Sequence, residues 1–347
     1  MSTEMQEIVL ASRPEAEPKP ENFRLETHPL PNPGEGEVLV KVHYMSLDPY
    51  MRGRMDDAKS YAAPVPIGGR MEAGGVGEVI ASNSPHFEVG DFAFGMFGWA
   101  SHGCLPAREL RKLDPKQGPI TAALGVLGMP GFTGWHGLSA YGRPQAGETL
   151  VVAAATGPVG SMVGQLAKKA GLRVVGIAGG AEKCKMAVET FGFDACLDHR
   201  AYADARALRQ DLKEACPKGI DIYFENVGGK IFEATLPLMN TFGRIPVCGM
   251  IAGYNAGRLG AASGGTGPDR LPALWSSILV KQMSVNGFII SNHFEHYPAF
   301  LKEVAPLVAT GEIEVLEDIA EGLENAPRAF MGLLEGRNIG KQIVKLI

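Results

Sequence analysis

The chain has 347 residues, of which 45% are hydrophobic and 20% charged; this describes a folded globular protein of about two domains and excludes a disordered or fibrous one. Its 33 basic and 38 acidic side chains leave a net charge of −5, and without basic clusters neither nucleic acid nor an anionic membrane is an expected partner. Glycine, at 45 of 347 residues, stands near twice its usual share of about 7%, so many tight turns or close backbone approaches are expected.

Cys104, Cys184, Cys196, Cys216 and Cys248 are odd in number and form no C-x-x-C pair. That usage favours a reducing, cytoplasmic setting over a disulfide framework or a structural zinc knuckle. The opening residues Met-Ser-Thr-Glu-Met-Gln-Glu carry acids where a secretion signal needs bases and then an apolar run. Two charge-poor stretches, Gly118 to Gly142 and Thr149 to Ala167, are cut by Gly or Pro every few residues. Neither reads as a membrane span of about 20 residues.

From Met1 to about Pro119 the chain is punctuated by turns. Glu37–Val42, Gly74–Ile80 and Asp91–Phe94 are bounded by Gly, Asn or Pro and predict short strands of a β-rich domain. Near Thr149 the pattern changes. Thr149–Ala154 is an unbroken apolar run, as expected of a strand covered on both faces. Val159, Val163, Leu166 and Ala170 then fall at helical spacing. Further strands are expected at Leu172–Ile177, Ala195–Leu197, Ile220–Phe224, Arg244–Cys248 and Ser284–Ile289. Helices near Glu182–Phe191, Ala203–Ala215 and Ile231–Leu238 alternate with them. The alternation predicts an α/β fold with a doubly wound parallel sheet. A glycine-rich loop follows at Gly257 to Pro268, and Ile313–Ile347 returns to the first domain. The expected domains are thus 1–122 completed by 310–347, with 123–309 inserted between them.

The first turn of the α/β half reads Ala155-Thr156-Gly157-Pro158-Val159-Gly160. This is a dinucleotide fingerprint with alanine in the first glycine position. Gly157 lets backbone approach a pyrophosphate, Gly160 lets helix pack on strand, and the helix N-terminus offers N–H groups to the phosphates. The motif follows a buried strand and opens an amphipathic helix, the context it requires. An NAD site ordinarily places Asp or Glu about 20 residues on, at the ribose 2′-hydroxyl. Here the second strand ends Ile177-Ala178-Gly179-Gly180-Ala181, and Lys183 follows in the next helix. Room at Gly179 and a cation at Lys183 suit a 2′-phosphate, so NADP(H) is the expected cofactor; Glu182 points in a different direction from its helical neighbour.

Five motifs then carry a family resemblance. They are Ser46-Leu47-Asp48-Pro49-Tyr50-Met51-Arg52-Gly53, the Ala155–Ser161 turn, Phe224-Glu225-Asn226-Val227-Gly228-Gly229, Cys248-Gly249-Met250-Ile251-Ala252-Gly253-Tyr254-Asn255, and Asn338-Ile339-Gly340-Lys341. Over nearly its whole length the sequence resembles the zinc-independent prostaglandin reductase, leukotriene dehydrogenase and curcumin reductase branch of the medium-chain dehydrogenase/reductase superfamily. The resemblance implies a GroES-like domain made from both chain ends, with a Rossmann domain inserted. It implies NADPH-dependent reduction of a carbon–carbon double bond conjugated to a carbonyl, in a homodimer. It further implies that Lys183 binds the 2′-phosphate. Asn226, the Cys248–Tyr254 loop (Cys248, Gly249, Met250, Ile251 and Tyr254), the Phe288–Phe294 segment (Phe288, Ile289, Ile290) and Asn338 are implied as further cofactor contacts. One position departs. The family often has a tyrosine after the third strand, where this chain has Asp198-His199-Arg200, and His199 or Arg200 is expected to replace it.

No metal is expected. Zinc alcohol dehydrogenases need Cys, His and acidic ligands in the first domain. Here no cysteine precedes Cys104, and Gly69–Gly74 contains no histidine. His293 and His296, at i, i+3, could share a helical face, and a third ligand on that face is not expected.

Reducing an enone requires positioning the acceptor and donating a hydrogen bond to its carbonyl oxygen as negative charge develops there. Tyr254, in a Gly-rich loop just beyond a strand's carboxyl end, is the first choice for that donor; Tyr50 is the second, and equally a pocket wall. Arg52 reads as a domain-interface charge, and Phe94, Met96, Phe97 and Trp99 as core or pocket lining. The expected substrate is a small hydrophobic α,β-unsaturated carbonyl compound. A quinone oxidoreductase and a non-catalytic NADPH-binding protein are the alternatives. Ser284–Ile289, as the last strand of its sheet, is the expected dimer edge. The glycine-rich segment Asn255–Pro268 is expected to act as a lid.

Overall fold

The computed structural model describes residues 3–58, 60–256 and 270–347. The chain divides into two compact units. One comprises residues 3–128, 254–256 and 317–347; the other comprises residues 129–253 and 270–316. The boundaries lie a few residues beyond 122 and 309. On the N-terminal side the turn Ile120–Leu124 packs into the first unit's core through Ala123 and Leu124. On the C-terminal side Glu314 is held by Gln165, whose Oε1 accepts from the Glu314 N–H at 2.7 Å. The lid expected at Asn255–Pro268 lies almost wholly outside the described residues.

The first unit opens with β1 (Glu4–Leu10) and β2 (Phe23–Pro29), an antiparallel pair. β3 (Glu37–Ser46), the short helix α1 (Met51–Arg54), β4 (Gly75–Ser82), β5 (Phe92–Gly95), β6 (His102–Pro106) and β7 (Arg111–Leu113) follow. β3, β4, β5 and β7 lie side by side in one antiparallel sheet, with β6 paired to β3. Trp99 is wholly buried, its ring stacked 5.4 Å from Phe23 and edge-on to Phe330. Phe97 is also core, whereas Met96 is 54% exposed. Arg52 is fully buried and is held by partners of this same unit, donating to Asp56 Oδ1 at 2.6 Å and the Ala16 carbonyl at 2.7 Å.

The second unit begins with α2 (Met129–His136) and then alternates strand with helix. Its elements are β8 (Thr149–Ala153), α3 (Pro158–Lys169), β9 (Arg173–Ala178), α4 (Ala181–Glu189), β10 (Ala195–Asp198), α5 (Ala205–Ala215), β11 (Ile220–Phe224), α6 (Gly229–Thr235), β12 (Met239–Val247), α7 (Leu271–Lys281), β13 (Ser284–Gly287) and α8 (Tyr297–Ala309). Among the described residues the sheet has the order β10-β9-β8-β11-β12-β13, every pair parallel. Side chains alternate between two cores, as the period of two requires. Leu150, Val152, Val174 and Phe224 enter one; Val151, Ala153, Val175 and Tyr223 enter the other. β12 starts five residues before its expected Arg244, because the register against β11 shifts between Ile220 and Ile222 and Phe242 takes a positive φ of 63°. α6 stops at Thr235 and passes into a tight turn carrying Pro237.

The chain then returns to the first unit. β14 (Glu317–Glu321), α9 (Ala326–Leu334) and β15 (Lys341–Lys345) complete its sheet, β15 pairing antiparallel with β3 through Ile343 and Ser46. No helix among the described residues is long and apolar enough to cross a membrane.

Candidate active site

In the second unit the strand order reverses between β8 and β11, and parallel sheets bind ligands beyond the carboxyl ends of strands at such a point. Ala154, just past β8, takes a left-handed φ of 52°, one residue before the alanine in the first glycine position. Thr156 is buried, and Gly157 caps α3 with Pro158 in the first turn. The first intrahelical bond runs from Ser161 N–H to Gly157 O at 2.9 Å, so the Val159 and Gly160 N–H groups precede it. A Cβ on Gly160 would sit 2.3 Å from the Ala154 carbonyl oxygen, and one on Gly164 1.9 Å from the Phe193 ring. The helix therefore lies against its strand with no room for a methyl group. This cradle fits a dinucleotide pyrophosphate: bare backbone at a helix N-terminus, with no acidic side chain in the turn.

Beyond β9, Gly179 and Gly180 lead into α4. Asp198, closing β10, accepts from the backbone N–H of Gly180 at 2.8 Å and of Arg200 at 2.9 Å. Burial opposes its ionisation, but these two bonds keep its carboxyl below the usual carboxylate range. A Cβ at Gly179 would lie 2.9 Å from Arg200 Nε and 3.1 Å from His199 Nε2, so the two residues expected near the 2′-phosphate do flank that glycine. Burial chiefly, then Lys230, Arg200 and Lys183, push the His199 pKa down, with Asp198 opposing them. Three cationic side chains thus lie close enough to this imidazole to oppose its protonation. Lys230, from the first turn of α6, donates to the carbonyl oxygens of His199 at 2.8 Å and Tyr202 at 2.6 Å. The sequence reading missed it. Its signal was a lysine directly after Gly228-Gly229, opening a helix beyond a strand as Lys183 does.

Next to this group, Cys184 and Cys196 place their sulfurs 3.1 Å apart. The hydrogen bond from Cys196 lowers the Cys184 pKa and, with burial, raises that of Cys196.

At the ends of β8 and β11, Asn226 ties the motifs together. Its Nδ2 donates to the Ala153 carbonyl at 2.7 Å and its Oδ1 accepts from Cys248 Sγ at 2.7 Å. Burial raises the Cys248 thiol far above its usual range. Glu225, 3% exposed, accepts from the Val227 and Gly228 N–H groups at 2.6 and 2.8 Å; burial raises its pKa. The N–H groups of Ile251 and Ala252 donate to the carbonyls of Asn226 and Val227. The Phe224–Gly229 and Cys248–Tyr254 motifs are therefore one laced structure. Gly249 and Ile251 are part-buried and Met250 is 43% exposed. Phe288 turns its ring into the core against Tyr141, while Ile289 and Ile290 stay part-buried. Tyr254 is part-buried at the end of the laced turn.

In the first unit, the two outermost family motifs meet. Lys341, 2% exposed, donates to Asp48 Oδ1 at 2.9 Å and to the Leu47 carbonyl at 2.6 Å, and Ser46 Oγ also donates to Asp48. Burial lowers the Lys341 pKa, and Asp48 opposes the shift. Tyr50 is held beside this pair. Burial first, then Asp48 and Glu72, push its phenol pKa far above the usual range. The Arg54 guanidinium lies 5.4 Å from the Tyr50 ring centre and 4.5 Å from that of Tyr61. Asn338 donates to the Gly340 carbonyl at 2.8 Å, shaping the turn into β15.

Comparison with known proteins settles the family. Residues 6–113 match the model for the N-terminal domain of oxidoreductase, and 158–306 that for zinc-binding dehydrogenase. The chain is 53% identical to the NADPH-dependent curcumin reductase of Escherichia coli (strain K12), over 97% of this chain and 96% of that one. It belongs to the zinc-independent enone reductase branch of the medium-chain dehydrogenase/reductases. Prostaglandin reductase 1 of Mus musculus is 38% identical to this reductase over 93% of the chain and 94% of its own length. The crystal structure of CurA from Vibrio vulnificus in complex with NADPH superposes with a TM-score of 0.92 at 49% identity, covering 99% of both chains. A quinone oxidoreductase of Escherichia coli complexed with NADPH shares the fold, at a TM-score of 0.76 and 21% identity. The reductase thus has the two-domain architecture expected of it: a β-rich domain and a Rossmann domain.

Proposed function

We propose that this enzyme uses NADPH to reduce the carbon–carbon double bond of α,β-unsaturated ketones or aldehydes. NADP(H) is its cofactor. The observation that carries the cofactor choice is the group of Lys183, Arg200 and Lys230 around His199, which itself flanks Gly179, where an NAD enzyme places a repelling carboxylate. The acceptor class follows from relatives named for curcumin, 2-alkenals and prostaglandins.

Bound in this site, NADPH supplies the hydride that goes to the β-carbon of the acceptor. The protein's part is to hold and to donate. The first turn of α3 holds the pyrophosphate, and Lys183, with Arg200 and Lys230, holds the 2′-phosphate. Gly179 and His199 line that phosphate; Asn226, Cys248, Gly249, Met250, Ile251, Ile289, Ile290, the Phe288 backbone and Asn338 complete the cofactor contacts. Tyr254 donates to the acceptor's carbonyl oxygen, and Tyr50 is the second candidate. Tyr50 keeps its proton throughout the working pH range because its phenol pKa is raised, so it is always a donor. Solvent or a phenol then protonates the α-carbon.

The enzyme acts as a cytoplasmic homodimer. Its five cysteines are free thiols, and β13 ends the described sheet. Beside it Leu271, Trp275 and Leu279 form an i, i+4, i+8 stripe on α7, each more than half exposed, an apolar surface that a two-fold mate would cover. Light scattering at micromolar concentration should give twice the chain mass; a monomer would refute the dimer.

The deciding assay is NADPH consumption across enones, enals and quinones. Turnover with enones, lowered in Tyr254→Phe, is the expected result. Consumption with quinones alone would establish quinone reduction instead, and tight NADPH binding without turnover on any acceptor would leave a binding protein.

A further inference from the structure

His293 and His296 have Glu295 between them in the sequence, and the fold brings a fourth candidate ligand, His136, beside them. Beyond Phe288 the chain forms a turn, Ile290–His296, that leaves helical geometry at His293 (φ −131°, ψ 17°). That break gathers His293, Glu295 and His296, each offering a ligand atom within 4.8 Å of the other two. His136, the last residue of α2, lies alongside. Its ring centre is 4.4 Å from that of His293 and 5.3 Å from that of His296. Two imidazoles on one tetrahedral ion, with metal–nitrogen bonds of about 2.0–2.1 Å, hold their ring centres about 5 Å apart.

His136 supplies the independent sign of a ligand. It is 5% exposed, and its Nε2 has no hydrogen-bond partner among the described residues. Its other ring neighbours are Phe132, Trp135, Tyr141 and Phe288, whose rings lie about it at 5.7–6.4 Å. Buried ring nitrogens are normally paired, and an unpaired one beside two imidazoles and a carboxylate is placed as a ligand would be.

We propose that His136, His293, Glu295 and His296 form a binding site for one divalent transition-metal ion of the zinc class. Three imidazoles and one carboxylate suit zinc, cobalt, nickel or copper rather than magnesium or calcium. Tetrahedral closure draws the ligand atoms to about 3.3 Å from one another; His136 stands outside the 4.8 Å group, so the exposed side chains of Glu295 and His296 make the contraction by rotating toward it. The ion fastens the turn after β13 to the end of α2. It is a clamp on the Rossmann domain, not a participant in hydride transfer. The other cluster of metal-ligating side chains, Glu7, Glu26 and His28, is of a different kind, because Arg70 and Arg24 already neutralise its two carboxylates.

Cobalt chloride titrated into chelator-treated protein tests the site. One equivalent per chain should bind, giving visible d–d absorption without the near-ultraviolet band of cobalt–thiolate bonding, and zinc chloride should displace it. Affinity should fall at least tenfold in His296→Asn and in Glu295→Gln, both exposed positions that leave the core intact. His136→Phe should abolish the site while retaining NADPH affinity, and His28→Asn should leave binding unchanged. A thiolate band, cobalt affinity unchanged in His296→Asn, or no binding below millimolar cobalt would overturn the proposal. Should His136→Phe fail to fold, His296→Asn and Glu295→Gln decide the matter.

Discussion

Replacing Gly160 with alanine places a methyl group where the backbone leaves no space. The new Cβ would stand 2.3 Å from the Ala154 oxygen, 2.9 Å from its carbonyl carbon and 3.0 Å from Ala155 Cα. All three are main-chain atoms, so no rotamer relieves the contact; α3 and the end of β8 must separate by about 1 Å to restore van der Waals distance. Overpacking of this kind costs about 1–3 kcal/mol, or about 2–12 °C in the melting temperature of a domain of this size. The same displacement carries the helix N-terminus away from the pyrophosphate. The loss of a charge-assisted hydrogen bond, about 1.5–3 kcal/mol, weakens NADPH roughly 10–100-fold. Gly332→Ala is the control. Within α9 its Cβ would meet only the Arg337 side chain, no closer than 3.5 Å, and helical alanine should stabilise by about 0.4–1 kcal/mol. Calorimetry and NADPH fluorescence titration on both variants give the comparison. An unchanged melting temperature and unchanged NADPH affinity in Gly160→Ala would refute the close-packed reading of this turn.

Lys183→Ala should weaken NADPH by about 1.5–3 kcal/mol while sparing NADH; equal affinity of the unaltered enzyme for the two cofactors would refute the phosphate assignment. The Asp198 carboxyl has a folded-state pKa below its ordinary 3.8, so its contribution is complete above that value and is lost as pH falls through the folded one. Urea denaturation should therefore show an advantage of the unaltered chain over Asp198→Asn that is constant from pH 5 to 7 and shrinks only in stronger acid. A loss already occurring between pH 7 and 5 would contradict this. Turnover should survive chelation, since the first domain lacks a catalytic zinc ligand set; activity that vanishes with chelator and returns with zinc would overturn that expectation.

What the sequence made legible was local. The apolar run Thr149–Ala154, the glycines at 157 and 160 and the helical spacing beyond them lie within one strand–turn–helix, where side-chain period and backbone space decide the outcome without help from elsewhere. The turn from β9 into α4 at Gly179-Gly180 was readable for the same reason. Residues acting across the fold were not. Lys230 reaches His199 from a different helix, and His136 meets His293 across more than 150 positions of chain. Arg52 looked like a domain-interface charge because nothing nearby in sequence shows that the Ala16 carbonyl, 36 positions away, will meet it. β12 began early because its register against β11 slips, a property of the pair and not of either strand.

The meeting of Asp48 with Lys341 gives the chain a timetable. These two residues are separated by 293 positions. At synthesis rates of about 5–20 residues per second, their encounter comes about 15–60 s after Asp48 is made. Every strand of the Rossmann sheet lies between them in the sequence, so that sheet is free to assemble first. Meanwhile β3, paired with β4 and with β6 along Glu37–Lys41, waits with its last residues Tyr44–Ser46 open on one side, and Asp48 beyond them stays hydrated until β15 arrives with the lysine that permits burial. The enzyme is therefore finished from its last residues backwards, and a chain stopped short of Lys341 would hold a folded nucleotide-binding half joined to an unclosed sheet.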